Sequence, residues 1–147
     1  MNPAMRTPRS TSLDFASSVA TVLFWPILAL VVWGELRPDV PTVLHGINDK
    51  FLHFGSYFVL GALAGAAIKQ RGLLKWAVLG LIAFGALIEI IQAFVGRDPS
   101  LLDGITNGAG VIAGILVARF VIAALMGIRQ GHAIRSLACS ARLSRTQ

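Results

Sequence analysis

The ionisable and amide side chains between residues 49 and 107 fall into short pairs with helical spacing. Asp49 and Lys50 precede His53 by four and three residues, so one helix face would carry a carboxylate, an ammonium group and an imidazole. Tyr57 lies one further turn along that face. Glu89 and Gln92 are spaced i, i+3, and Asp103 and Asn107 are spaced i, i+4. Glu89 and His53 are the candidate catalytic acid and base, within proton-transfer chemistry that uses exactly such side-chain types. Gln92 and Asn107 would orient a ligand by hydrogen bonds, and Asp49, Tyr57 and Asp103 complete the candidate binding set. Lys50 and Arg97 would hold a phosphate or carboxylate, Arg97 by a two-pronged contact. His53, Glu89 and Asp103 are also metal-binding residue types, but no H-E-x-x-H or comparable spacing is present, so the pattern assigns no metal. No nucleophile elbow, phosphate loop or dinucleotide fingerprint occurs, and no motif names a cofactor. Whether the protein is an enzyme stays open on these residues.

Each residue also has a structural role to weigh against the chemical one. Asp103 is placed to cap a helix by accepting free backbone amides. Lys50 could extend its ammonium to a membrane interface. Glu89 is harder to explain away. An ionisable group at the centre of a membrane span costs about 2.5–3.5 kcal/mol on insertion scales. Glu89 would lie roughly 10 Å inward from Gly96 at 1.5 Å per residue.

The elements that must position these residues are apolar helices. Of 147 residues, 55% are hydrophobic and 14% charged, about half the charge of an ordinary soluble domain. Four apolar stretches, at about 15–33, 51–68, 76–95 and 103–126, each approach the roughly 20 residues that cross a bilayer. They lack the alternation of barrel strands, and lipid leaves no partner for open backbone groups. The expected fold is therefore all-α, a membrane protein of four transmembrane helices. The first stretch is longer than a signal-peptide core and is followed by no convincing cleavage site, so it reads as an anchor, bent at Pro26. Glu35 falls in the loop expected from residue 34 to residue 50, and the first helix contributes no polar group to the site.

Charge gives the helices a direction. Lys and Arg number two before the first span, two in the first loop, three in the second, one in the third and four in the tail from residue 127. Basic segments stay cytoplasmic, which places the N-terminus, the C-terminus and the second loop inside. The first and third loops, with Glu35, Asp39, Asp49, Asp98 and Asp103, then face outward. Three polar pairs from three helices reach the same outer level, where they would share one pocket. The net charge of +6 is explained by topology and anionic lipid, and no nucleic-acid module accompanies it. Cys139 is the single cysteine, so no internal disulfide forms. Gly61 and Gly65, Gly80 and Gly85, and Gly110 and Gly114 let helix backbones approach, within one chain or in a homo-oligomer.

The polar set resembles the VanZ-like family, named for a protein associated with teicoplanin resistance. The resemblance rests on Asp49-Lys50-x-x-His53-Phe54-x-x-Tyr57, on Glu89-x-x-Gln92, and on Arg97-x5-Asp103-x3-Asn107-x2-Gly110-x3-Gly114. It covers the second, third and fourth spans, about residues 49–120, and leaves the first span and the basic tail outside. It implies a multi-pass protein of a bacterial cytoplasmic membrane, with these polar positions matching the family's characteristic ones. The expected partners are the lipid bilayer and an envelope amphiphile such as a lipid-linked cell-wall precursor, bound or modified at the outward pocket. A scaffold whose polar residues only fasten helices, and an oligomeric transporter, are the competing expectations.

Overall fold

From Phe15 to Gly34 the chain carries no charge, and this run forms most of α1, Thr11–Leu36. The computed structural model describes residues 11–37, 49–96 and 100–143, with side chains placed for 14–37, 49–96 and 100–128. Three helices follow α1: α2, Asp49–Ala67; α3, Arg71–Gln92; and α4, Leu101–Leu143. All described regular structure is helical.

The buried residues of α2 are His53, Tyr57, Leu60, Gly61, Ala64 and Gly65, a single stripe of the kind a 3.6-residue repeat produces. Asp103, Asn107, Gly110, Val111, Gly114 and Ile115 repeat that spacing as the buried stripe of α4. The two stripes meet along a glycine seam. A Cβ at Gly110 would stand 2.5 Å from the Phe54 carbonyl oxygen, one at Gly114 2.7 Å from the Ala62 nitrogen, and one at Gly65 3.1 Å from the Ile115 Cα. Hydrogen alone fits at Gly110 and Gly114, where the nearest atoms are backbone, and Gly65 is tightly approached. The contacts advance together along both helices, so α2 and α4 run in the same direction. Gly80, by contrast, has open space around it and joins no contact.

α1 runs against α2, since Ser17 at its beginning donates to the Ala67 carbonyl at 2.8 Å while Glu35 at its end lies beside Tyr57. α3 likewise opposes α4: Gly104 faces Glu89 and Gly108 faces Ile82. The four helices therefore alternate in direction. One end of the bundle gathers the C-termini of α1 and α3 with the N-termini of α2 and α4. The apolar core between the ends contains Val31, Leu60, Ala64, Leu81, Val111 and Ile115. At the opposite end, Lys69 pairs with Asp14, and Arg119 donates to the Ile68 carbonyl at 2.7 Å, covering acceptors where α2 stops.

Large apolar side chains cover the outside, among them Phe15, Trp25, Leu79, Ile90, Leu116 and Phe120. Such a surface is stable only in lipid. Among the described residues, three helices are long and apolar enough to cross a membrane: Asp14–Leu36, Arg71–Gln92 and Leu101–Ile128. α2 falls outside that group because Asp49, Lys50 and His53 dilute its first turn. Its contacts with α1 and α4 explain how it tolerates them, for a helix enclosed by others needs less apolar surface of its own. The fourth span was expected to end near residue 126. The candidate span in α4 ends at Ile128, while the helix itself runs on to Leu143, 43 residues in all and about 65 Å at 1.5 Å per residue, so Arg129, Arg135 and Arg142 lie on its helical continuation.

Candidate functional site

The polar end of the bundle is built around Glu35. α1 does not stop at Gly34, as the expected loop required, but carries Glu35 in its last turn and buries it. Glu35 Oε2 accepts from the Tyr57 hydroxyl at 3.4 Å, and Oε1 lies 3.5 Å from His53 Nδ1. Its backbone carbonyl accepts from Gln92 Nε2 at 2.9 Å. One residue thus joins α1 to α2 and α3, which corrects the expectation that the first helix brings no polar group. The alternating helix directions contained the missing signal: a residue at the end of α1 must stand level with the start of α2.

His53 is 3% exposed and is approached from three helices. Nδ1 is 3.2 Å from Asn107 Oδ1, and Nε2 is 3.5 Å from Asp49 Oδ2, one turn earlier on α2. Lys50 Nζ donates to Asp103 Oδ1 at 3.3 Å; the lysine side chain is 44% exposed and the aspartate 9%. Asp103 was placed as a helix cap by its position in the sequence. α4 begins earlier, at Leu101, and Asp103 sits in its first turn with its carboxylate turned to Lys50. There it still meets the positive end of the helix.

Glu89 and Gln92 approach from α3. Glu89 Oε2 accepts the Ser100 backbone N–H at 3.0 Å, tying the end of α3 to the start of α4. The acids that reach His53 are Glu35 and Asp49, and Glu89 is engaged with Ser100. Glu89 Oε1 and Asn107 Nδ2 are buried without a hydrogen-bond partner among the described residues. Gly85 admits Tyr57 and Asn107 to this layer: a Cβ there would stand 3.2 Å from a carbon of each. Asp49, His53, Tyr57, Gln92 and Asn107 are therefore linked directly or through Glu35, Lys50 and Asp103 pair with each other, and Arg97 lies outside the described residues.

The electrostatic balance of this end is acidic. Glu35, Glu89 and Asp103 are buried and Asp49 is half-buried, against Lys50, Arg37 and an imidazole. Burying carboxylates is expensive unless hydrogen bonds and opposite charge compensate them. The arrangement can pass a proton between imidazole and carboxylate, hold a cation, or present amide and ammonium groups to an anion.

The VanZ/LLP1 family model matches residues 6–123. The chain belongs to the VanZ/LLP1 family. The match takes in all of α1, so the first helix, with Glu35, is part of the family region and does not lie outside it as the motif resemblance implied. One relative is the uncharacterized membrane protein YwnJ of Bacillus subtilis (strain 168), 32% identical over 82 residues, which are 56% of this chain and 55% of the relative. The match spans about half the length of that curated relative. No solved structure matches this VanZ/LLP1 chain. Family, relative and apolar helices agree that it is a membrane protein.

Proposed function

We propose that this VanZ/LLP1 protein crosses a bacterial cytoplasmic membrane four times with both termini inside, and binds or modifies a cell-envelope amphiphile, such as a lipid-linked cell-wall precursor, at its outward polar end. The observation that supports this reading is the convergence of Glu35, His53, Glu89, Gln92, Asp103 and Asn107, all buried, at the joined ends of four helices. An amphiphile divides in the same way as this surface. Its chain would lie along the apolar outer faces, while an anionic headgroup would meet the half-exposed Lys50 and the unmatched amide of Asn107. Glu89 and His53 remain the acid and base candidates, with Glu35 now the carboxylate set against the imidazole. The outward direction is supported by Lys69, Arg71 and Lys75, which lie at the opposite end and would stay cytoplasmic.

The test is identification of lipids and metabolites that co-purify from membranes with the wild type, with Glu89→Gln and with Glu35→Gln. Selective loss of one anionic amphiphile from the variants is expected. Identical lipid content in all three, with each protein folded, would overturn the reading. A second reading, a scaffold with no ligand, draws on the Lys50–Asp103 pair and the Gln92 bond to the Glu35 backbone, which fasten helices together. It expects the same substitutions to reduce folded protein without changing any single lipid class.

A further inference from the structure

His53 is surrounded by acceptors. Asn107 Oδ1 and Glu35 Oε1 face Nδ1 at 3.2 and 3.5 Å, and Asp49 Oδ2 faces Nε2 at 3.5 Å. A neutral imidazole has one N–H and one lone pair. With the proton of a neutral ring on Nδ1, between those two acceptors, the Nε2 lone pair faces a carboxylate oxygen. Two lone pairs oppose each other unless a positive centre lies between them.

A third group of the right kind stands at that place. Asp49, His53 and Asp103 each offer a ligand atom within 4.8 Å of the others. The 3.5 Å separation of His53 Nε2 from Asp49 Oδ2 is close to the edge, about 3.4 Å, of a tetrahedron drawn with bonds of about 2.1 Å. We propose that Asp49, His53 and Asp103 bind a divalent cation of the zinc or manganese class, His53 through Nε2 and each aspartate through a carboxylate oxygen. One imidazole with two carboxylates suits these ions, since nitrogen ligands favour zinc and oxygen ligands manganese. Three protein ligands leave a position open for water or a headgroup oxygen.

The surrounding groups match that assignment. Glu35 and Asn107 hold the far nitrogen of the imidazole, the outer contact that fixes the tautomer of a metal-bound histidine. Lys50 bonds Asp103 Oδ1 from the exposed side, and a carboxylate has a second oxygen to give. The ion would offset the excess of buried carboxylates at this end. No sequence spacing announces the site, because Asp103 enters from α4, a separate helix brought beside α2 by the glycine seam.

The inference deepens the reading above, since the ion would contact an anionic headgroup. Its test counts the ion on the protein alone, so either can fail without the other. The full chain, purified in nanodiscs of zwitterionic lipid with a histidine-free tag, is stripped with chelator, dialysed and titrated with zinc chloride by calorimetry. Metal content is then counted by mass spectrometry. One zinc ion per chain is expected, with cobalt substitution giving visible bands of a low-symmetry nitrogen and oxygen site. Asp49→Asn, a half-exposed change at the first residue of α2, should weaken binding at least tenfold while leaving the helical spectrum unchanged. Glu35→Gln should weaken it by roughly 10–100-fold, the usual effect of an outer contact. Replacing His45 and His132 by glutamine should change nothing. Absence of stoichiometric zinc from the folded wild type overturns the proposal and leaves a doubly protonated imidazole among these acceptors. Wild-type affinity in a folded Asp49→Asn variant overturns it equally.

Discussion

Replacing Glu35 by alanine would leave the Tyr57 hydroxyl and the His53 imidazole facing an empty place, both of them deep in the bundle. A buried polar group deprived of its partner costs about 1–3 kcal/mol. Glu35→Ala should therefore lower stability by at least about that amount in a detergent unfolding titration, and Glu35→Gln, which keeps an acceptor, by less. Equal stability of wild type and Glu35→Ala would show that the carboxylate does not hold these helices. The two ends of the polar set differ in how visible they were in the sequence. His53, Asp103 and Asn107 stand in apolar surroundings at helical spacings, and their types invite attention. Glu35 follows an apolar run directly and precedes a proline-containing segment, so local composition makes it a loop residue. Its burial is a tertiary fact, set by which helix end lies beside it.

At the scale of helices, the seam between α2 and α4 makes a prediction that separates glycines of similar appearance. Gly110→Ala and Gly114→Ala push a methyl into backbone atoms, and overpacking of this kind costs about 1–3 kcal/mol. Gly80→Ala meets nothing within 4 Å and should be neutral or stabilising by up to about 1 kcal/mol. The same unfolding titration checks the contrast, and equal effects at Gly80 and Gly114 would deny the seam. Gly-x-x-x-Gly spacing was legible along the chain; which pairs touch was not, because spacing alone leaves the partner helix free. Element limits were also only partly legible. Apolar runs mark lipid-facing length well, yet α1 runs on past its uninterrupted apolar run through Glu35 to Leu36, and α4 runs on through arginines that hydropathy assigns to a tail.

For the whole molecule, the passage of α2 decides the topology. If all four helices cross, a cysteine replacing Arg97 reacts with an impermeant label from outside intact cells, and one replacing Arg71 does not, in a Cys139→Ser background. If α2 stays on one side, α3 enters from the other face and the two labels exchange behaviour. Charge counting favours the first outcome, since its alternation agrees with the alternating helix directions in the fold. The common course of α2 and α4 has a mechanical meaning as well. Backbone pressed on backbone resists sliding, so Asp49 and His53 keep a fixed distance from Asp103 and Asn107 as if mounted on one post. α3 touches its neighbours far more sparingly and brings Glu89 and Gln92, while α1 brings Glu35. If the polar end takes a guest, α1 and α3 are the helices with room to yield, and α2 with α4 is the fixed spine they would yield against.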